Sequence, residues 1–171
     1  MREFFYTLLG YLSGSILFAK IVPQKLCHVD VTRMGKDQNP GTFNAFAAAG
    51  PLVGTFVLLL ELGKGFFPVH LALKNLSPEN PAFALILLAP VVGHAWPLMH
   101  FREGGKAIAV SFGVLLGLYP ALKPVVLLAV LYLLFSLVLV VRPHLYRSVL
   151  TFVCFAAGCL RTVMFPAWKL G

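Results

Sequence analysis

Residues 45–73 read AFAAAGPLVGTFVLLLELGKGFFPVHLAL, and this long apolar run decides the fold. As a single α-helix it would be about 43 Å long at 1.5 Å per residue. That length exceeds the roughly 30 Å hydrocarbon core of a bilayer, so the run must tilt, break or form two segments. Glycine and proline in ELGKGFFPV loosen a helix, and we therefore predict the break in this stretch, around Glu61 and Lys64.

The rest of the chain has the same apolar character. Of its 171 residues 59% are hydrophobic and 12% charged, with a mean hydropathy of +0.87, whereas soluble domains have about 25% charged residues. We predict an all-α fold, a polytopic transmembrane helical bundle of about six spans that forms one integral membrane domain over residues 1–171. The other predicted spans cover residues 4–22, 81–98, 125–141 and 147–165, with a shorter one near 107–121.

The distribution of lysine and arginine predicts the orientation. Placing the loops at 23–44, 99–106 and 142–147 on one side collects seven basic residues there, against five on the other side. Because cytoplasmic loops are enriched in basic residues, we place these three loops in the cytoplasm. The net charge of +8 then reflects topology and contact with anionic lipid, and no nucleic-acid partner is predicted.

The stretch FREGGKAIAV, residues 101–110, carries a glycine pair and a lysine between two apolar runs. It is not a nucleotide-binding P-loop, because His100 and Ala107 stand where that motif needs Gly and Ser or Thr. Two glycines, a lysine and the start of a helix still suit a phosphate group, because the first N–H groups of a helix have no partner within it. We therefore interpret the stretch as a candidate anion site.

Two further polar islands interrupt the apolar pattern. DVTRMGKDQNPGTFN, residues 30–44, breaks every regular periodicity and supplies hydrogen-bond donors, so it is either a solvated loop or a site. Glu61 and Lys64 are three residues apart and can pair on one helix face. Ionisable groups at membrane depth are usually functional; the alternative is a turn between two spans.

Together with the first span, these islands resemble one family, the bacterial glycerol-3-phosphate acyltransferases that use acyl-phosphate as donor (the PlsY family). The resemblance covers about residues 10–113 and rests on four motifs in order. They are YLSGSILFAKIV with Gly14 and Ser15; RMGKDQNPGTFN with Arg33, Asn39, Pro40, Gly41 and Asn44; LLELGKGFFPV with Lys64, Gly65 and Pro68; and GHAWPLMHFREGGKAIAVSFG with Gly93, His94, Pro97, Gly104, Gly105, Lys106 and Gly113.

The resemblance implies an activity and a location. Members of the family transfer a fatty acyl group from acyl-phosphate to the sn-1 hydroxyl of glycerol 3-phosphate, which makes lysophosphatidate in phospholipid synthesis. They work as multi-pass proteins of the bacterial inner membrane. The implied partners are these two substrates and the lipid bilayer, and no metal, coenzyme A or other cofactor is implied.

The resemblance also implies roles for individual residues. Lys106 with Gly104 and Gly105 would bind glycerol 3-phosphate, and Arg33 and Lys64 would offset charge on the leaving phosphate. Gly41 would bind substrate together with the other residues of the N-P-G loop. Four polar residues would orient the reacting groups. The four are Ser15, Asn39, Asn44 and His94.

The chain also departs from the family pattern. The family has G-S-G where this chain has Lys36, Asp37 and Gln38, and further replacements are Ala47, Glu61, Ala107 and Val110. These changes predict relaxed or altered recognition. The family's third motif, R-H-x-x-N-I-x-R-L after one more span, has no match in the sequence, so we expect that a protein partner supplies it or that the chain works without it.

Two other functions stay open at this stage. The first is a catalytically degenerate paralogue that binds phospholipid precursors or a protein partner without turnover. The second is a small anion transporter that uses polar helix breaks near membrane depth. The sequence shows no inverted repeat, which argues against the transporter.

Overall fold

The computed structural model of the chain describes residues 1–34, 39–99 and 101–164. Every regular element in this part of the chain is helical, which confirms the predicted all-α class. The helices are α1 (Arg2–Gly14), α2 (Phe18–Cys27), α3 (Val31–Met34), α4 (Thr42–Asn75), α5 (Phe83–Ala95), α6 (Ile108–Leu116), α7 (Lys123–Leu133) and α8 (His144–Met164), and a π-helical turn (Leu134–Val138) extends α7.

The chain divides into two compact units. The first, Met1–Tyr119, contains α1 to α6, and the second, Pro120–Gly171, contains α7 and α8. Within the second unit α7 packs against α8, where Gly158 lies close to the Leu127 side chain. The single domain over residues 1–171 stays a prediction.

The first predicted span, residues 4–22, is a broken helix. Helix α1 ends at Gly14 and α2 begins at Phe18, so Ser15–Leu17 separate them, with Leu17 at φ −86° and ψ 74°. A break of this kind leaves carbonyl groups of the first helix and N–H groups of the second without intrahelical partners. Side chains of α4 bond two backbone groups here, the carbonyl of Ile16 in the break and the N–H of Ala19 at the start of α2.

The prediction of a break around Glu61 and Lys64 is wrong. Helix α4 runs through both residues and through Pro68, and its one non-helical position is Gly50, at φ 81° and ψ 174°. Pro68 has no N–H to bond the carbonyl of Lys64, yet the Ser13 hydroxyl donates to that carbonyl over 2.9 Å. A neighbouring helix thus replaces the missing bond, so the proline does not end the helix.

Close backbone approaches hold the helices of the first unit together. A Cβ on Gly93 of α5 would overlap the carbonyl oxygen of Tyr11 in α1, and one on Gly14 would lie 2.8 Å from the carbonyl carbon of Pro90. Helices α4 and α6 meet in the same way, because a Cβ on Gly113 would overlap the carbonyl oxygen of Leu62. Small residues let apolar helices approach closely in membranes.

In the part of the chain that the structure describes, two helical segments are long and apolar enough to cross a membrane, Arg2–Cys27 and Thr42–Asn75. The apolar helices Phe83–Ala95 and Lys123–Val138 are shorter. Helices also occupy the other predicted spans, with α6 near 107–121 and α8 over most of 147–165, while residue 165 lies outside the described residues. The count of about six spans stays a prediction.

Candidate functional site

Three ionisable side chains meet inside the first unit. Glu61 and Lys64 lie on α4, and His94 lies near the end of α5; the exposed fractions of the three side chains are 1%, 2% and 5%. The Lys64 Nζ atom lies 2.9 Å from Glu61 Oε2 and 2.8 Å from His94 Nδ1. These contacts confirm the predicted pairing of Glu61 with Lys64 and add His94 to it.

The buried cluster also binds the break between α1 and α2. Lys64 Nζ donates to the carbonyl oxygen of Ile16 over 2.6 Å, and the backbone N–H of Ala19 donates to Glu61 Oε1 over 3.2 Å. Two backbone groups at the break are therefore bonded by the opposite charges of one ion pair. The break and the ion pair explain each other, because neither is stable in an apolar interior alone.

Removing one partner of such a pair is expensive. A buried charge that loses its counterion destabilises a protein by roughly 3–5 kcal/mol. We therefore expect Glu61 and Lys64 to depend on each other for stability.

The G-G-K loop lies directly on His94. The backbone N–H of Gly105 donates to the carbonyl oxygen of His94 over 3.1 Å. A Cβ on Gly105 would overlap His94 Nε2, and one on Gly104 would overlap the carbonyl oxygen of Ala95. Both glycines are therefore required by close contact with the end of α5, and the loop position depends on His94.

The residue after the loop adopts an unusual backbone conformation. Ala107 precedes α6 at φ 54° and is 4% exposed. This left-handed conformation costs a non-glycine residue roughly 1–2 kcal/mol. Ala107 is one of the departures from the family pattern, where glycine would adopt the same conformation freely.

An open pocket of about 500 Å³ lies beside the loop. Its lining comes from α2, from the segment around α3, from the start of the α4 region and from the loop after α5. The lining residues are Lys20, Asp30, Thr32, Arg33, Pro40, Arg102, Glu103 and Gly104. Two loops that the sequence places in the cytoplasm, 23–44 and 99–106, thus contribute to one pocket.

Ion pairs partly neutralise the basic residues of this pocket. Lys20 pairs with Glu103, and Arg33 Nε lies 3.2 Å from Asp30 Oδ2. Hydrogen bonds from the Thr32 hydroxyl and backbone, with the Arg33 guanidinium nearby, hold the pKa of Asp30 below its usual value. Arg102 has no carboxylate within 4.0 Å among the described residues, so three basic and two acidic side chains leave one positive charge in the pocket lining.

The N-P-G segment is closed by its own hydrogen bonds. The carbonyl oxygen of Asn39 accepts from Asn44 Nδ2 over 2.7 Å and from the Gly41 N–H over 2.8 Å. Gly41 then precedes the first residue of α4. In this arrangement the Asn44 amide holds the loop shape beside Pro40, which lines the pocket.

The structure brings the predicted site residues together in two groups. His94, Lys64, Gly104 and Gly105 meet at the buried cluster and its loop, while Arg33 lines the open pocket and is 86% exposed at its side chain. The remaining predicted residues are Lys106 after the glycine pair, Asn39, Gly41 and Asn44 in the N-P-G segment, and Ser15 at the end of α1. Lys36, Asp37 and Gln38 lie outside the described residues.

Ser15 does not point its hydroxyl at the cluster. Its Oγ donates to the carbonyl oxygen of Tyr11 over 2.8 Å, which closes the end of its own helix. The neighbouring Ser13 and Ile16 make the contacts with Lys64 instead. The role of Ser15 in catalysis stays a prediction.

Several site residues were not found by reading the sequence for sites. Lys20 and Glu103 were not singled out, because nothing in their local sequence indicates that residues 83 positions apart pair across the pocket. Ser13 was missed because only the proline in a neighbouring helix makes its hydroxyl necessary. Among the described residues no three His, Cys, Asp or Glu side chains are placed to hold a metal ion.

Comparison with known proteins finds the family that the sequence motifs resemble, and the family match extends over nearly the whole chain. The family model for glycerol-3-phosphate acyltransferase matches residues 4–169. A glycerol-3-phosphate acyltransferase from Thermotoga petrophila is 37% identical over 67% of this chain, and one from Hydrogenobaculum is 36% identical over 79% of it. The chain spans 58% of the length of the Thermotoga protein and 69% of the Hydrogenobaculum protein.

A solved structure is similar in both sequence and fold. The crystal structure of PlsY (YgiH), an integral membrane glycerol 3-phosphate acyltransferase in its glycerol 3-phosphate form, superposes with a TM-score of 0.78 at 27% identity. The match covers 96% of this chain and 78% of that one. With the family match over residues 4–169, this places the chain among integral membrane proteins, and it belongs to the glycerol-3-phosphate acyltransferase family of the PlsY type.

Proposed function

We propose that the chain transfers a fatty acyl group from acyl-phosphate to the sn-1 hydroxyl of glycerol 3-phosphate. The observation that carries the proposal is the open pocket, where Lys20, Arg33 and Arg102 surround the first glycine of the G-G-K loop. Phosphate groups are bound by such basic side chains and by backbone N–H groups. The solved relative in its glycerol 3-phosphate form and the acyltransferase names of the other relatives support the same substrates.

The donor has an apolar chain that must remain in lipid. Helix α2, which presents Lys20 to the pocket, also carries Ile21, whose exposed fraction is 38%, and Ile16 in the preceding break is 43% exposed. An acyl chain lying against such residues in the bilayer would leave its phosphate at the pocket. The geometry suits a reaction at the membrane surface between one lipid-like and one water-soluble substrate.

We assign roles to the binding residues from the family resemblance and from their place in the chain beside the pocket. Lys106 and the backbone of Gly104 and Gly105 bind the acceptor phosphate, and Arg33 offsets charge on the leaving phosphate. Asn39, Gly41 and Asn44 hold the wall of the pocket through the bonds described above. His94 orients the reacting groups from the buried side, and a role of Ser15 in orienting them stays a prediction.

Two wider assignments belong to the same proposal. We place the chain in a bacterial inner membrane as a multi-pass protein, with the pocket on the cytoplasmic side. A protein partner that supplies the R-H-x-x-N motif stays a prediction of the sequence. Mild detergent extraction followed by cross-linking tests for such a partner, since recovery of the chain alone in an active form would exclude a requirement for it.

The test is acyl transfer to labelled glycerol 3-phosphate in liposomes that contain the purified chain. Palmitoyl-phosphate and palmitoyl-CoA are compared as donors, and we expect turnover with the phosphate alone. Lys106→Ala should raise the KM for glycerol 3-phosphate about 10- to 100-fold, because a hydrogen bond to a charged group contributes roughly 1.5–3 kcal/mol. Lys74→Ala is the matched control, since Lys74 is exposed at the end of α4 and contributes nothing to the pocket lining.

The outcomes separate the three functions that the sequence left open. Binding of glycerol 3-phosphate without turnover would contradict the enzyme and support a degenerate paralogue. Flux of glycerol 3-phosphate across the liposome membrane without acyl transfer would support a transporter. Turnover with an unchanged KM in Lys106→Ala would remove Lys106 from the binding site and keep the activity.

A further inference from the structure

The Lys64 ammonium makes two hydrogen bonds and one ion pair inside the buried cluster. Its Nζ atom lies 2.6 Å from the carbonyl oxygen of Ile16, 2.9 Å from Glu61 Oε2 and 2.8 Å from His94 Nδ1. A lysine ammonium has three donors and no acceptor. Because the ammonium can only donate, His94 Nδ1 must be the acceptor in this 2.8 Å hydrogen bond. Nδ1 therefore carries no hydrogen.

The charge balance of the cluster gives the same state. Glu61 and Lys64 cancel each other in a place where their side chains are 1% and 2% exposed. A second positive charge on His94 would have no counterion there, and an uncompensated buried charge is strongly unfavourable. The imidazole is therefore neutral, and with Nδ1 bare its hydrogen is on Nε2. The 3.2 Å contact between His94 Nδ1 and Glu61 Oε2 then joins two atoms that lie 2.8 Å and 2.9 Å from the Lys64 ammonium.

The other side of the ring lies against the G-G-K loop. A Cβ on Gly105 would overlap Nε2, and the Gly105 N–H donates to the backbone carbonyl of the same histidine. None of the hydrogen bonds that His94 makes with described residues uses Nε2. The Nε2 hydrogen therefore lies at the loop. Lys64 keeps it on Nε2 by donating to Nδ1, and the Glu61–Lys64 charge balance keeps the ring neutral.

We infer that Lys64 is a positioning residue, which holds His94 as its Nε2–H tautomer so that this group donates to a phosphate oxygen of the acceptor at the G-G-K loop. The inference rests on the proposed function for the identity of the acceptor. It also revises the role that the resemblance implies for Lys64. An ammonium with a 2% exposed side chain and three buried acceptors acts on substrate through His94.

The tautomer is measured directly by nitrogen-15 NMR of the protein in lipid bilayers with labelled histidine. The chain has five histidines, and the His94→Asn spectrum identifies the signals of His94 by their loss. We expect a bare Nδ1 and a protonated Nε2 in the wild type. A protonated Nδ1, or a doubly protonated ring, would overturn the inference without any other variant.

Lys64→Met tests the cause of the tautomer. Without the ammonium, the nearest partner of Nδ1 is Glu61 Oε2 at 3.2 Å, so Nδ1 should be protonated in this variant and the bare Nδ1 of the wild type should be lost. Lys74→Met, on an exposed part of the same helix, is the control and should keep the wild-type tautomer. An unchanged tautomer in folded Lys64→Met would contradict the positioning role; should that variant fail to fold, the wild-type spectrum still decides the tautomer.

The kinetic readout follows from the lost donor. If the ring of Lys64→Met is neutral with its hydrogen on Nδ1, the KM for glycerol 3-phosphate should rise about tenfold or more, because a phosphate oxygen then faces an acceptor at Nε2 and has no donor. The KM for acyl-phosphate should change much less. Absence of acyl transfer in the wild type would refute the proposed function alone, while transfer with a protonated Nδ1 would refute this inference alone.

Discussion

His94 connects the ionic interior of the first unit with the loop that binds phosphate in our proposal. Its ring contacts Lys64 on one side and Gly105 on the other, and its carbonyl accepts from the loop backbone. Glycine in this loop is therefore required by its neighbours in the fold, independently of the anion that we propose the loop binds. That distinction can be tested at Gly104, whose neighbour is backbone rather than a movable side chain.

Gly104→Ala should displace the loop, because the added methyl would overlap the carbonyl oxygen of Ala95. A displacement of about 1 Å can lower activity on the order of 10²-fold, so we expect kcat/KM for glycerol 3-phosphate to fall by up to that factor. Gly63→Ala is the control, since its methyl would lie 3.3 Å from the movable Phe67 ring. Equal activity of the two variants would show that the loop tolerates a side chain.

The sequence predicts part of this site and misses part of it for a physical reason. Glu61 and Lys64 are three residues apart, and helical spacing alone predicts their pairing, which is observed at 2.9 Å. The partners at Ile16 and Ala19 are backbone groups, which any residue type supplies. Only the tertiary structure reveals which backbone groups lack partners, so no reading of residue types could find them.

At the scale of elements, α4 shows how a neighbour decides whether a helix breaks. The sequence places proline and two glycines within ELGKGFFPV, yet the helix continues there because Ser13 bonds the carbonyl that Pro68 leaves open. The kink falls instead at Gly50, which precedes Pro51. Residues before proline avoid the helical conformation, so the kink has a local cause that the sequence does contain.

Gly50→Ala measures the strain at this kink. Gly50 has φ 81° and ψ 174°, a region used almost only by glycine, and a Cβ there would meet no atom within 4 Å. A lower stability would therefore come from the backbone alone, and we expect a decrease of about 1–3 kcal/mol. Thermal unfolding in detergent measures it, with Gly63→Ala in the same helix as the control.

An unchanged unfolding temperature in Gly50→Ala would mean that α4 can straighten at Gly50.

Helices occupy the other predicted apolar runs, although their ends differ from the predicted bounds by up to five residues in α6. A long run of apolar residues has few structural options in a membrane. The broken first span was not predicted. Its break at Ser15–Leu17 depends on partners in α4 that are more than 40 residues away.

At the scale of the whole molecule, the net charge of +8 is distributed so that the pocket lining keeps a positive charge. Among the described residues of the lining, Lys20, Arg33 and Arg102 outnumber Asp30 and Glu103. A dianionic acceptor such as glycerol 3-phosphate would be attracted by this excess. Screening by salt weakens such attraction between exposed charges.

Glu103→Gln should strengthen the attraction, because it releases Lys20 from its ion pair and raises the net charge of the pocket lining by one. We expect a several-fold lower KM for glycerol 3-phosphate at low salt and a smaller difference at high salt. Glu79→Gln changes the total charge equally, but Glu79 is exposed and outside the pocket lining, so its KM should stay at the wild-type value. A raised KM in Glu103→Gln would instead show that the Lys20–Glu103 pair holds the pocket in its binding shape.

The broken first span has a consequence for how the chain is made. A ribosome delivers Ile16 and Ala19 to the membrane before Glu61 and Lys64, so the two backbone groups that these charges require are already present when α4 arrives. A charged helix entering the bilayer thus meets a prepared partner instead of hydrocarbon alone. The two backbone groups that bond the ion pair are thus synthesised before the ion pair itself.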